Sequence, residues 1–283
     1  MGLEIVGVIG AGTMGSGIAQ VCAAAGLSVR LLDVSSEALE KALMLISKNL
    51  ARQVFKGAMD TDKKNEILGR IETTVDMRNL SDAHIVIEAA TESLSLKVRI
   101  LDQIANQVST TCVIASNTSS LSITQLASNV SHPERFIGLH FFNPVTVMLL
   151  VEVIKGIRTS DGTHALVVEL ATRLDKTAIT VGNRPGFVVN RILIPMINEA
   201  VLVYQEGLAS AQDIDEGMML GCNHPIGPLA LADLVGLDTL LSILESLYEG
   251  FNDCKYRPAP LLKEMVAAGF LGRKTGRGFH AYD

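Results

Sequence analysis

The sequence predicts an α/β chain: an N-terminal doubly wound, mostly parallel sheet followed by an all-helical C-terminal domain. Three observations predict it. Strand-like and helix-like segments alternate through the first two thirds of the 283 residues, the pattern of a parallel sheet covered by helices. A buried strand-like run, Glu4-Ile5-Val6-Gly7-Val8-Ile9, flows into Gly10-Ala11-Gly12-Thr13-Met14-Gly15 and then an apolar helix. After Gly182-Asn183-Arg184-Pro185-Gly186 the strand signals stop, which places domains at 1–184 and 185–283.

The elements follow in order. Residues 4–9 and 28–32 read as strands, the second running into Asp33. Ser35 or Ser36 caps a long helix to about residue 55, and 60–68 forms another. Residues 71–75, 84–88, 112–116, 136–142, 149–154 and 178–181 are strands by their β-branched and aromatic runs. Helices are expected at 93–107, 121–126 and 161–175 between them. Beyond the boundary, 187–206, 211–220, 228–235, 237–248 and 259–268 are helical, with Gly207, Gly221, Gly236 and Gly269 as C-caps or turns. Pro195 is expected to kink the first of these.

Composition bounds the function classes. The chain is 48% hydrophobic without tryptophan, an ordinary globular composition, and its net charge of −6 argues against nucleic acid or an anionic membrane as partner. The longest apolar candidate, 145–154, is too short to span a bilayer and is broken by Glu152. No basic leader precedes the first strand, and Met1-Gly2 fails as an acylation signal because the sixth residue is Val6. Cys22, Cys112, Cys222 and Cys254 are scattered, which reads as reduced thiols in a cytoplasmic protein. No His or Cys pair has metal-ligand spacing, so no metal is expected.

G-x-G-x-x-G is weak evidence alone, since it also serves plain helix packing. Here strand, helix, second strand and terminal Asp33 are all present, which makes a Rossmann-type dinucleotide site the better reading. Gly10 permits the tight turn, Gly12 lets a pyrophosphate approach, and Gly15 lets the helix close on the strand. Thr13 and Met14 open the helix whose N-terminus faces the phosphates. Asp33 is placed to grip ribose hydroxyls. It would repel a 2′-phosphate, and Val34-Ser35-Ser36 offers no Arg to accept one, so the expected cofactor is NAD.

Four further groups carry candidate chemistry. If 136–142 and 149–154 fold back about Thr146, His140 and Glu152 fall opposite each other. A carboxylate in an apolar strand needs a partner, and one at Nδ1 would orient the imidazole as a general acid/base. His140 alone would more simply be a core histidine. Ala115-Ser116-Asn117-Thr118-Ser119-Ser120 follows a buried strand, where its hydroxyls and amide can meet a ligand, cap the next helix, or both. Asn190 early in the first C-terminal helix is either a polar group facing the interdomain cleft or a satisfied core amide. Lys48, Arg52 and Lys56 line one helix face, as a solvated stripe or a contact for an anionic substrate. His84, His132, His164, His224 and His280 show no comparable partner and read as structural or solvated.

Together with His140-Phe141-Phe142-Asn143-Pro144-Val145, Ile87-Glu88-Ala89-Ala90-Thr91-Glu92, Pro185-Gly186-Phe187-Val188-Val189-Asn190-Arg191 and Pro225-Ile226-Gly227-Pro228, these stretches give the chain a family likeness. Over essentially its whole length it resembles the 3-hydroxyacyl-CoA dehydrogenases, most of all the bacterial short-chain 3-hydroxybutyryl-CoA type. The resemblance implies an NAD-dependent oxidoreductase in which His140 and Glu152 form the catalytic pair and Ser119 and Asn190 contact the acyl group. It also implies that Glu92, Lys97, Asn117 and Asn143 line the nicotinamide end, that Arg52 and Lys56 meet coenzyme A, and that the C-terminal domains build a homodimer. The sequence departs from the family pattern at Thr146 and Leu149, where a proline and a lysine are usual, and at His280, usually tyrosine. Those departures leave acyl preference open: longer or dicarboxylic substrates such as 3-hydroxyadipyl-CoA are alternatives. A free hydroxy-acid dehydrogenase and a non-catalytic NAD-binding protein are the competing classes.

Overall fold

The computed structural model describes residues 3–282; Met1-Gly2, excluded above as an acylation signal, lies outside them, as does Asp283 at the end of the predicted helical domain. The chain divides into two compact units, Met1–Asn183 and Arg184–Asp283.

The first unit is an eight-stranded sheet. Its strands are β1 (Ile5–Ile9), β2 (Ser28–Leu32), β3 (Ile71–Thr74), β4 (Ile85–Glu88), β5 (Val113–Ser116), β6 (Phe136–Phe141), β7 (Leu150–Lys155) and β8 (Thr177–Gly182). They are ordered β3-β2-β1-β4-β5-β6-β7-β8, and every neighbouring pair is parallel except β6 with β7. The central strands β4 and β5 are buried throughout, as expected where helices cover both faces. The helices are α1 (Thr13–Ala24), α2 (Ser36–Phe55), α3 (Thr61–Gly69), α4 (Leu94–Gln107), α5 (Ile123–Ala127) and α6 (Asp161–Arg173). Capping follows side-chain chemistry: Ser35, Asp60 and Ser160 each accept from a backbone N–H one turn on. The core joins β1, β2 and α1 through Val6, Val8, Ile18, Ala19, Cys22 and Leu31.

The second unit holds α7 (Val189–Gln205), α8 (Ala211–Cys222), α9 (Pro228–Val235), α10 (Leu237–Phe251) and α11 (Pro260–Ala267). Leu229, Leu237, Leu240, Leu244, Leu247 and Leu262 form its core, all fully buried.

Several predicted details are corrected. Residue 187 does not begin α7: Phe187 has a φ of 51°, in the left-handed region, and the helix starts at Val189. Gly221 is helical, and Asn223 with φ 56° ends α8 in its place. The helix predicted at 121–126 is the short α5, capped by Ser122 and not by Asn117–Ser120.

Candidate active site

Parallel pairing sets the carboxyl ends of four strands side by side. Ile9 pairs with Glu88, Glu88 with Ser116 and Ser116 with Gly138. The loops after β1, β4 and β5 and the end of β6 therefore share one edge of the sheet. The order reverses between β1 and β4, and such a switch point is where open α/β sheets bind ligands.

At the first loop, Gly10 has a φ of 100°, and a Cβ there would lie 2.7 Å from the Ala89 carbonyl oxygen, so the position excludes side chains. A Cβ on Gly15 would collide with the Gly10 carbonyl, so α1 closes directly on β1. Gly12 is the N-cap of α1 without a side-chain hydrogen bond, and a Cβ built on it meets nothing within 4 Å. Thr13 is exposed beside it and Met14 half-buried. Backbone N–H groups and the positive dipole end of α1 thus face open space, an arrangement suited to a pyrophosphate. Asp33 is held at the same loop: Oδ2 accepts from Ala11 N at 2.7 Å and Oδ1 from Ser35 N at 3.0 Å. These residues fit NAD: the N-terminus of α1 would hold the phosphates and Asp33 a ribose.

The antiparallel β6–β7 pair sets His140 opposite Glu152, with Nδ1 2.8 Å from Oε2. Both are buried, Glu152 completely. Phe142 lies against the imidazole, with ring centroids 4.6 Å apart. The Glu152 carboxylate selects the ring orientation and fixes which nitrogen faces away from it.

The loop after β5 is organised by a carboxylate. Glu92 Oε1 accepts from Thr118 Oγ1 at 2.7 Å, Ser119 N at 2.7 Å, Ser120 N at 3.0 Å and Ser120 Oγ at 3.0 Å. Glu92 therefore sets the position of half-buried Ser119. Asn117 Oδ1 accepts from Phe141 N at 2.8 Å, tying the ends of β5 and β6 together. Asn143 is exposed just beyond β6. Lys97 is fully buried on α4: its Nζ lies 2.5 Å from Glu88 Oε2 and 3.8 Å from Glu92 Oε2. Glu88, itself fully buried, also accepts from Ser116 Oγ and Ala90 N. Lys97 thus touches carboxylates beneath the loops. Glu88 is a site-organising residue that the sequence reading missed, because a single carboxylate ending an apolar strand shows no partner until Lys97 on α4 is in place.

Lys48, Arg52 and Lys56 are exposed along α2, with Lys56 as its C-cap, and none enters an ion pair among the described residues. Asn190 is the second residue of α7 in the second unit and is half-buried.

Two of the remaining histidines have carboxylate partners that the spacing did not reveal. His280 does have a carboxylate partner: Nε2 lies 2.7 Å from Asp215 Oδ2, while Asp215 also accepts from Leu229 N and Ala230 N. His132 sits 3.1 Å from Glu134. His84 Nδ1 accepts from Ile5 N, and His164 Nε2 contacts Thr180 Oγ1. Sixty-five residues separate Asp215 from His280, beyond any local pattern. All four cysteines are free, Cys22 and Cys112 buried, Cys222 and Cys254 exposed. Among the described residues no group of three or more His, Cys, Asp or Glu is placed to hold a metal, and no helix is long and apolar enough to cross a membrane.

Dinucleotide-binding loop, buried His–Glu pair and helical second unit define an NAD-binding oxidoreductase. Residues 5–184 match the model of the 3-hydroxyacyl-CoA dehydrogenase NAD-binding domain, and residues 186–282 match that of the 3-hydroxyacyl-CoA dehydrogenase C-terminal domain. The chain belongs to the 3-hydroxyacyl-CoA dehydrogenase family. It is 48% identical over 283 residues to a probable 3-hydroxybutyryl-CoA dehydrogenase of Bacillus subtilis, covering 100% of this chain and 99% of the relative. It is 49% identical over 280 residues to the 3-hydroxybutyryl-CoA dehydrogenase of Bradyrhizobium diazoefficiens, covering 99% and 96%. Among solved structures, (S)-3-hydroxybutyryl-CoA dehydrogenase PaaH1 from Ralstonia eutropha is similar at 57% identity and a TM-score of 0.97, over 99% of each chain.

Proposed function

We propose that the protein interconverts (S)-3-hydroxybutyryl-CoA and acetoacetyl-CoA, with His140 and Glu152 as its acid–base pair. The observation that carries this is the Glu152 carboxylate 2.8 Å from His140 Nδ1, at the sheet edge that also holds the Gly10–Gly15 loop. The full-length likeness to proteins named for that substrate supports the acyl group.

Bound NAD supplies the hydride acceptor in oxidation and, as NADH, the donor in reduction. The protein's own residues handle the proton. In oxidation, neutral His140 takes the 3-hydroxyl proton at Nε2. In reduction, protonated His140 returns it to the forming alkoxide. Glu152 stabilises the imidazolium between these events. Ser119, set by Glu92, serves as a donor to the developing oxyanion. Exposed Arg52 and Lys56, with Lys48, offer positive charge to the phosphates of coenzyme A.

A homodimer through the second unit belongs to the same proposal. Val188, Ile192, Met196, Pro225, Ile226 and Leu231 line an apolar groove of about 460 Å³ there, and Ile192 is 68% exposed. Sedimentation at micromolar concentration checks it, and a monomeric profile would count against it.

Absorbance loss of NADH with acetoacetyl-CoA, run beside free acetoacetate, tests the reaction. Rapid oxidation with the thioester alone is expected. Equal rates with both would move the assignment to a free-acid reductase, and silence with both would overturn it.

A further inference from the structure

The β6–β7 connection, residues 142–149, is longer than the tight hairpin turns that fix register by themselves. Yet His140 and Glu152 meet only in one register, since a slip of one residue turns Glu152 to the opposite face. Something outside the hairpin must hold its closed end. Asn117 secures one side, accepting from Phe141 N. The other side is held by a buried lysine just before β8. Lys176 Nζ donates to Val145 O at 2.7 Å and to Met148 O at 2.8 Å. Within the loop, Pro144 O accepts from both Val147 N and Met148 N, so the carbonyls of Val145 and Met148 are left for the ammonium. Next to Lys176, Thr177 N donates to Leu149 O at 2.8 Å, which carries β8 into register beside β7. Asp175, with a φ of 55°, turns the chain immediately before Lys176.

We infer that Lys176 is a positioning residue, whose ammonium clamps the β6–β7 connection through two carbonyls and so fixes the His140–Glu152 contact. Nothing in the family match or the catalytic reading assigns it a task. It acts through the backbone between His140 and Glu152, at Val145 and Met148. The inference rests on the proposed acid–base role of that pair for its effect on turnover, but not for its effect on the pair's geometry. Burial lowers the Lys176 pKa from the ordinary lysine value.

The experiment compares wild type, Lys176→Met and Lys176→Arg by two readouts. The first is ¹⁵N spectroscopy of the His140 ring, which reports the Nδ1 hydrogen bond without any turnover. The second is kcat, KM and the pH profile with NADH and acetoacetyl-CoA. In Lys176→Met the ring signals are expected to shift, and kcat to fall about tenfold to a hundredfold, the scale of a small misplacement of a reacting group. NADH affinity should hold within about twofold, because the Gly10–Gly15 loop and Asp33 are untouched. The kcat pH profile should move, and Lys176→Arg should restore ring signals and most of kcat. Unchanged His140 signals in folded Lys176→Met, or a kcat loss matched by an equal loss of NADH-binding protein, would overturn the clamp. Should Lys176→Met fail to fold, Lys176→Gln, with one reach to a carbonyl, carries the same comparison. Wild-type silence on acetoacetyl-CoA would instead overturn the proposed function and leave the ring readout to decide the clamp.

Discussion

Replacing Lys97 by Met tests how the loop platform is built. The Lys97 ammonium and the Glu88 carboxylate are both fully buried, 2.5 Å apart. The variant leaves Glu88 with its hydrogen bonds from Ser116 Oγ and Ala90 N but without a countercharge. Breaking one side of a buried pair costs about 3–5 kcal/mol, because the remaining ion is uncompensated. For a unit of this size, with roughly 2–4 °C per kcal/mol, the thermal midpoint should fall by about 6–20 °C. The double variant Glu88→Gln/Lys97→Met removes the stranded charge and should recover a large part of that loss. Melting followed by circular dichroism, with and without NADH, measures all three proteins. A Lys97→Met midpoint within 2 °C of wild type, a change on the order of the smallest resolvable stability difference, would refute the reasoning. So would a double variant as unstable as the single. Lost NADH affinity with unchanged melting would show that Lys97 meets the cofactor directly.

Other expectations follow from the same structure. His140→Gln should lower kcat roughly a hundredfold or more, and Glu152→Gln should lower kcat more than it raises KM, both read by steady-state kinetics with acetoacetyl-CoA. Asp33→Ala should narrow the preference for NADH over NADPH, because the carboxylate held by Ala11 N and Ser35 N no longer repels a 2′-phosphate; an unchanged ratio of kcat/KM would count against that role. The Arg52→Glu/Lys56→Glu variant should raise KM for the CoA thioester and leave NADH affinity in place. Burial pushes the Cys22 and Cys112 thiols up to about 12, so alkylation at neutral pH should modify Cys222 and Cys254 first, as peptide mass spectrometry would read. An acid whose folded pKa is raised lends stability below its unfolded value and loses it as pH climbs toward the folded one. Unfolding should therefore ease above about pH 9, by roughly tenfold per pH unit for each thiol.

Local chemistry carries far in this chain. The run from Glu4 to Asp33 specifies strand, turn, helix and strand through short-range rules: a positive φ at Gly10, close packing at Gly15 and a carboxylate at a strand end. The His140–Glu152 pairing was legible for a related reason. The two strands are sequential and antiparallel, so symmetry about Thr146 places residue 152 opposite residue 140. Helix ends were less legible. Phe187 in the left-handed region and Ser122 rather than Asn117–Ser120 as cap depend on how the chain enters each helix.

Legible from the chain alone are the alternation of strands and helices, the glycine turn that opens α1, the opposed His140 and Glu152, and the all-helical last third. Tertiary packing alone brings the distant polar partners together. Glu92 gathers the Ser119 loop from 27 residues away, Lys97 finds Glu88 on β4, Lys176 reaches back 31 residues to Val145, and His280 finds Asp215 across 65. The physical reason is one of range. Periodicity and turn chemistry act between neighbours along the chain, whereas a buried polar group takes whatever partner the crossing connections deliver, and those are set only when the sheet order is complete.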